Sequence, residues 1–163
     1  MGLKIYICSK VQFNNILKDN NINDSNIETF KKAIFICIDN TQEDGFYSTP
    51  IFKEDHSNVL HLYFDDVEND IDDDVKAKSI TENQIKEIVE FLYKNKNKEL
   101  LFVHCSAGIS RSGAIGLFAL DYFNGDKEHF NKYNKHISPT IKVIRLLKQY
   151  YTQKYDNKRT TNN

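Results

Sequence analysis

Four short apolar runs punctuate an otherwise polar chain, each with the length of a strand. The first, Leu3-Lys4-Ile5-Tyr6-Ile7-Cys8, is rich in β-branched and aromatic residues. The second, Ala33 to Ile38, is continuously apolar, as expected of a strand covered on both faces. Val59 to Phe64 and Leu100 to His104 predict two more strands. Helical patterns separate them. Val11, Phe13, Ile16 and Leu17 follow helical spacing, and the polar stretch 20–26 turns the chain. Residues 39–57, with Gly45 and Pro50, predict a loop whose Phe46, Tyr47 and Phe52 either pack on the core or line a site. An acidic loop runs from Asp65 to Lys78. Thr81-Glu82-Asn83-Gln84 then fits a capping box, and Ile85, Ile88, Val89 and Leu92 form the stripe of the helix it opens. A further helix is expected from about Ser112 to Tyr122 and a short one within 126–136. Ser138-Pro139 predicts a last helix, with Ser as N-cap and Pro at the first helical position. Alternating strands and helices imply an α/β fold: a mostly parallel central sheet of four to five strands with helices on both faces.

Composition narrows the class. With 163 residues, 40% hydrophobic and 28% charged, the chain suits one soluble domain, expected over 1–155 with a flexible tail at 156–163. A net charge of −1 gives no reason to expect nucleic acid or an acidic membrane as partner. The acidic run at 65–74 and the basic Lys142, Arg145, Lys148, Lys154, Lys158 and Arg159 read as solvated faces. Cys8, Cys37 and Cys105 are too few and too scattered for a disulfide framework or a zinc site. Free thiols, no secretory h-region and no apolar run of membrane-spanning length lead us to expect a reducing, cytoplasmic setting. Cys8 and Cys37 lie in apolar strands and read as core.

Cys105 is different. It ends a buried strand and precedes a helix, which is where ligands sit in open α/β sheets. A free thiol with a pKa of about 8.5 becomes a good nucleophile where its anion is stabilised. A short turn containing Gly108 directs backbone N–H groups inward at the positive end of the next helix, forming a nest for an anion. Arg111, six residues after Cys105, brings a planar guanidinium able to grip two phosphoryl oxygens. Ser112 offers a hydroxyl to the sulfur.

The run His104-Cys105-Ser106-Ala107-Gly108-Ile109-Ser110-Arg111-Ser112 resembles the HCxxGxxR-Ser/Thr signature of the cysteine-dependent tyrosine and dual-specificity phosphatases over all nine positions. The resemblance implies that Cys105 is the nucleophile and forms a phosphocysteine. It implies that Ser106, Ala107, Gly108, Ile109, Ser110 and Arg111 bind phosphate, that Ser112 assists breakdown of the intermediate, and that His104 supports the loop through hydrogen bonds. It implies no metal and no organic cofactor. More weakly, the rest of the chain looks like the small atypical phosphatases of bacteria and viruses, and it lacks Trp altogether.

The same family places an acid on a loop after an upstream strand. Asp65 and Asp66, 40 and 39 residues before Cys105, are the candidates. Related small phosphatases carry an Asp directly before an aliphatic residue, so Asp66 before Val67 is expected, with Asp65 next and Asp70 to Asp74 farther from the strand end. Lipid phosphatases of this family often carry Lys in the loop, so its absence between Cys105 and Arg111 favours phosphotyrosine or phosphoserine/threonine proteins as substrates over a phosphoinositide, and an RNA 5′-triphosphate would call for more positive charge around the site. A pseudophosphatase that captures phosphoproteins without turnover is the alternative from another class. Oligomeric state is not legible.

Overall fold

The computed structural model describes residues 2–68 and 76–156. Four strands form one all-parallel sheet: β1 (Lys4–Ser9), β2 (Ala33–Asp39), β3 (Val59–Tyr63) and β4 (Leu100–Cys105), in the order β1-β4-β2-β3. The late strand β4 lies between β1 and β2, so its C-terminal end, with Cys105, is central in the sheet.

Both faces are covered, which explains the unbroken apolar run of β2. Ile34, Ile36 and Ile38 point to one face and Ala33, Phe35 and Cys37 to the other, and all seven residues of the strand are buried. The first face packs against α2 (Glu82–Lys94), α3 (Arg111–Tyr122) and α5 (Ile141–Tyr151). The opposite face packs Phe13 and Leu17 of α1 (Lys10–Asp19) and Phe52 of the following loops against Phe35, Cys8 and Cys37. The short α4 (Lys127–Tyr133) sits by β1, where the Asn134 amide bonds Ile7 N–H and Ile5 C=O and so closes an otherwise open strand edge.

Local signals account for several helix starts. Thr81 and Gln84 form the expected capping box of α2, and Ser9 with Gln12 forms a second one on α1. Within 39–57 a 3₁₀ turn, Gly45–Ser48, interrupts the loop. Phe52 belongs to the core, while Phe46 is 41% exposed. The last helix starts later than Ser138-Pro139 predicts. Its N-cap is Thr140, whose hydroxyl makes no capping bond, and the Ser138 N–H is instead taken by Ile109 C=O at 3.1 Å. Tertiary bonds to the 104–112 segment thus override the local Ser-Pro signal. A π turn, Thr152–Asp156, continues α5; the rest of the expected tail and Asp70 to Asp74 lie outside the described residues.

Candidate active site

The five residues between β4 and α3 form the turn expected around Gly108. Gly108 has φ +70°, and a Cβ placed on it would lie 2.3 Å from both the Cys8 carbonyl carbon and the Ser9 nitrogen. The turn therefore rests on the peptide that ends β1. The Lys10 N–H donates to Ser106 C=O at 3.3 Å and fixes its other side. None of the backbone N–H groups of 106–111 finds an acceptor among the described residues. They are unengaged donors at the positive end of α3.

Cys105 is 2% exposed, and its Sγ lies 3.0 Å from Ser112 Oγ, itself buried in the first turn of α3. Arg111 is buried as well. Its Nη1 donates to Asn40 Oδ1 at 2.9 Å and Phe64 C=O at 2.8 Å, and its Nη2 donates to Ser106 Oγ at 3.2 Å. Its Nε is buried with no acceptor among the described residues. The guanidinium is thus clamped by residues just beyond β2 and β3 and retains a free donor. Ala107 and Ile109 face outward.

Asp65 and Asp66 part company. Asp65 accepts from the Thr41 N–H at 3.0 Å, the Thr41 hydroxyl and the Lys78 N–H at 2.8 Å. Burial works to raise its carboxyl, but these donors and the nearby Arg111 outweigh burial and hold it below the ordinary carboxylate range. Asp65 is engaged as a loop anchor. Asp66 is exposed and reaches the turn at 106–110: Ser110 Oγ bonds its Oδ2, and Thr140 Oγ1 donates to its Oδ1 at 3.1 Å.

Beneath this layer lies a fully buried ion pair. Lys10 Nζ donates to Asp39 Oδ1 at 2.6 Å, to Thr49 C=O at 2.5 Å and to Phe46 C=O, while His61 Nε2 bonds Asp39 Oδ2 at 2.6 Å. Burial acts to raise the Asp39 carboxyl, but His61 and Lys10 outweigh it and hold it low. The pair ties the 3₁₀ loop to the sheet next to Asn40. His104 packs its ring 4.6 Å from Phe13, and burial pushes it down to about 4, so it is neutral. Its Nδ1 has no partner among the described residues, while the Asp39 charge and a hydrogen bond to the Cys105 backbone act against burial. Burial, helped by the charge of Cys105, pushes the Cys8 thiol up to about 12, and burial raises Cys37 also; both remain core thiols.

Sequence reasoning missed Asn40, Thr140 and the Lys10–Asp39 pair. Asn40 was within reach, because it directly follows a parallel strand at the sheet's carboxyl end. Thr140 carries no local signal. Among the described residues one group, Asp24, Glu54 and His56, brings potential metal-ligand atoms within 4.8 Å of one another. Asp24 is already held there by the Lys53 and Glu54 N–H groups and by His56, away from the 104–112 segment.

No family model matches the chain, and no curated protein matches it. Solved structures do. The Cydia pomonella PTP-2 phosphatase aligns over 90% of this chain and 84% of its own, at 15% identity and a TM-score of 0.50. The fold is that of the protein tyrosine and dual-specificity phosphatases. PTPMT1 aligns over 98% of this chain and 96% of its own, at 18% identity and a TM-score of 0.47. The human tyrosine phosphatase-like serine/threonine/tyrosine-interacting protein aligns over 80% and 85%, at 17% identity and a TM-score of 0.45. Among the described residues no helix is long and apolar enough to cross a membrane.

Proposed function

We propose that the protein is a cysteine-dependent phosphatase that hydrolyses phosphotyrosine esters of proteins, and phosphoserine/threonine esters where they fit, through a phosphocysteine. One observation carries the reading. The Cys105 sulfur sits 3.0 Å from the Ser112 hydroxyl at a turn of unengaged N–H groups, and Arg111 is clamped to that turn through Ser106 and to Asn40 and Phe64.

The chemistry follows in two balanced steps. The Cys105 thiolate forms the S–P bond as the P–O bond to the leaving group breaks, and Asp66 gives that oxygen its proton. The unengaged N–H groups of 106–111, with Arg111 Nε and Nη2, are the donors for the equatorial oxygens, where charge gathers. Water then forms the new O–P bond, its proton goes to Asp66, and the S–P bond breaks. The Ser112 hydroxyl donates to the departing sulfur, and inorganic phosphate leaves. No step calls on a metal or organic cofactor. Asp66 serves as the acid because it is exposed and tethered to the turn, whereas Asp65 is engaged by Thr41 and Lys78.

The mouth supports an ester flanked by apolar groups. Ile109 of the turn is 40% exposed, and Ile141, beside Thr140, is 71% exposed. We place the protein where thiols stay reduced, since the nucleophile must remain a free sulfur. The deciding experiment is steady-state turnover of para-nitrophenyl phosphate by wild type and Cys105→Ser, followed by a phosphotyrosine peptide, a phosphothreonine peptide, a phosphoinositide and a triphosphate-ended RNA assayed side by side. Wild-type turnover lost in Cys105→Ser, with the phosphotyrosine peptide preferred, is the expected result. An active Cys105→Ser sinks the mechanism, and an inert wild type that still binds phosphopeptide makes the protein a capture module instead.

A further inference from the structure

Three side chains meet where the acid loop, the phosphate-type turn and the start of α5 come together. Ser110 Oγ bonds Asp66 Oδ2, Thr140 Oγ1 lies 3.1 Å from Asp66 Oδ1, and Ser110 Oγ lies 2.8 Å from Thr140 Oγ1. Each pair is within hydrogen-bond reach of the next, so the three side chains form a closed triangle. Backbone bonds hold its corners in place. The Thr140 N–H donates to Ser110 C=O at 3.2 Å, the Ala114 N–H donates to the same carbonyl at 3.0 Å, and the Ser138 N–H donates to Ile109 C=O. Thr140 is 1% exposed, so its hydroxyl is confined to partners inside the protein.

A proton count decides what this triangle favours. Three contacts need three protons, one for each. Each hydroxyl supplies one, and an ionised carboxylate supplies none. With Asp66 as the anion, one of the three contacts sets lone pair against lone pair. With Asp66 as the neutral acid, every contact is filled: Asp66 donates to Ser110, Ser110 donates to Thr140, and Thr140 donates back to Asp66. We propose that Ser110 and Thr140 complete a one-way ring of three hydrogen bonds around protonated Asp66, and that buried Thr140 is the positioning residue that keeps this acid charged with its proton and aimed at the turn. The proposal rests on the phosphatase reading above and adds the device that arms its acid.

The ring also fits the return step. Once Asp66 has protonated the leaving oxygen, one contact has lost its proton and the ring opens. The carboxylate is then released to take the proton of the attacking water, and taking it restores the ring. Other charged groups face the same place. Asp65 and Glu68 lie on the acid's own segment, and Glu68 Oε1 accepts from the Ile141 N–H at 3.1 Å. Arg111 reaches the segment through Phe64 C=O, the backbone N–H of Lys78 donates to Asp65, Lys142 Nζ donates to Ser79 Oγ, and Cys105 lies behind the turn with Ser112.

The test is Thr140→Val, which removes the hydroxyl and keeps the shape, against Thr140→Ser, which keeps the hydroxyl. Each is made in wild type and in Asp66→Asn. Phenyl phosphate, whose leaving group needs a proton, and 2,4-dinitrophenyl phosphate, whose leaving group does not, are followed from pH 5 to 8. Thr140→Val is expected to lower kcat on phenyl phosphate about tenfold, the effect of losing one hydrogen bond, and to draw the alkaline limb of the profile down by about half a pH unit. KM and the dinitrophenyl rate stay within about twofold, Thr140→Ser restores the profile, and Thr140→Val adds nothing in the Asp66→Asn background. A superimposable profile, or the same tenfold loss without the carboxyl, overturns the ring. Carboxyl ¹³C NMR of the intact protein, with Asp66 assigned through Asp66→Asn, reads the proton without any turnover. A midpoint moved to lower pH in Thr140→Val supports the ring, and an unmoved one overturns it. Absence of wild-type turnover would instead overturn the function while this midpoint still reports on the ring. Should Thr140→Val fail to fold, Ser110→Ala breaks the same ring from its outer corner and is read by the same midpoint.

Discussion

Replacing Gly108 by alanine asks whether the nest depends on one close approach. Two costs can be worked from the structure. At φ +70° an L side chain carries a strain of roughly 1–2 kcal/mol. More important, the new Cβ would sit 2.3 Å from the Cys8 carbonyl carbon and the Ser9 nitrogen, both backbone atoms in the strand that pairs with β4. Neither can rotate away, so the turn must retreat by about 1 Å to reach ordinary van der Waals contact, and donors misplaced by about 1 Å cost about 100-fold in rate. That corresponds to about 2.7 kcal/mol of lost transition-state stabilisation. The assay is kcat/KM on para-nitrophenyl phosphate, with vanadate binding as a measure of the nest and the urea midpoint as a measure of the fold. The expected outcome is about a 100-fold loss in kcat/KM, a parallel loss of vanadate affinity and a stability loss near the strain figure. Activity within threefold of wild type with unchanged vanadate binding would refute the packing of the turn on β1.

Two further outcomes follow from buried charge. Lys10→Met strands the Asp39 carboxylate and the Phe46 and Thr49 carbonyls, a loss of about 3–5 kcal/mol that moves the urea midpoint down by about 2 M; adding Asp39→Asn should regain part of it, and a shift below about 0.5 M would contradict the burial. The fold keeps His104 neutral down to about pH 4, whereas the unfolded chain takes up that proton near 6.5, so stability falls as pH drops through this window by about 3 kcal/mol. Below it, Asp39 and Asp65, both held low in the fold, lose their stabilising ionisation as they protonate. Urea midpoints measured from pH 7 to 3 should slope accordingly, and His104→Asn should flatten the upper part; an unchanged upper slope in that variant would assign it elsewhere.

What the sequence made legible was whatever neighbours in the chain determine. The run of β2 announced two covered faces, and Thr81 with Gln84 announced the start of α2, because each signal lies within a few residues. The motif 104–112 is similarly local: strand end, glycine turn and helix start follow one another without interruption. The choice between Asp65 and Asp66 came from resemblance alone, since their neighbours in the chain are alike. Their separation depends on Thr41, 24 residues from Asp65, and Thr140, 74 residues from Asp66, which the fold brings to them. The same distance explains the misread start of α5. Ser-Pro is a sound helix signal, but Ser138 and Thr140 are committed to Ile109, Ser110 and Asp66.

These long-range ties converge on Arg111. Its Nη1 reads the ends of two strands at once, through Asn40 just after β2 and Phe64 C=O just after β3, while its own backbone begins the helix that follows β4. The turn that precedes it leans on the end of β1. All four strands therefore contribute to the position of one guanidinium, and three of the four contributions include backbone: the Phe64 carbonyl, the Cys8–Ser9 peptide and the β4-to-α3 connection. The guanidinium is thus anchored to the sheet from several sides. The part with freedom to change is the proposed acid, because Asp66 is exposed and, among the described residues, its carboxylate is tied by two hydroxyls. That division matches the proposed chemistry: donors that bind phosphate gain by staying fixed through both steps, whereas a proton carrier must bind and release a proton in each cycle.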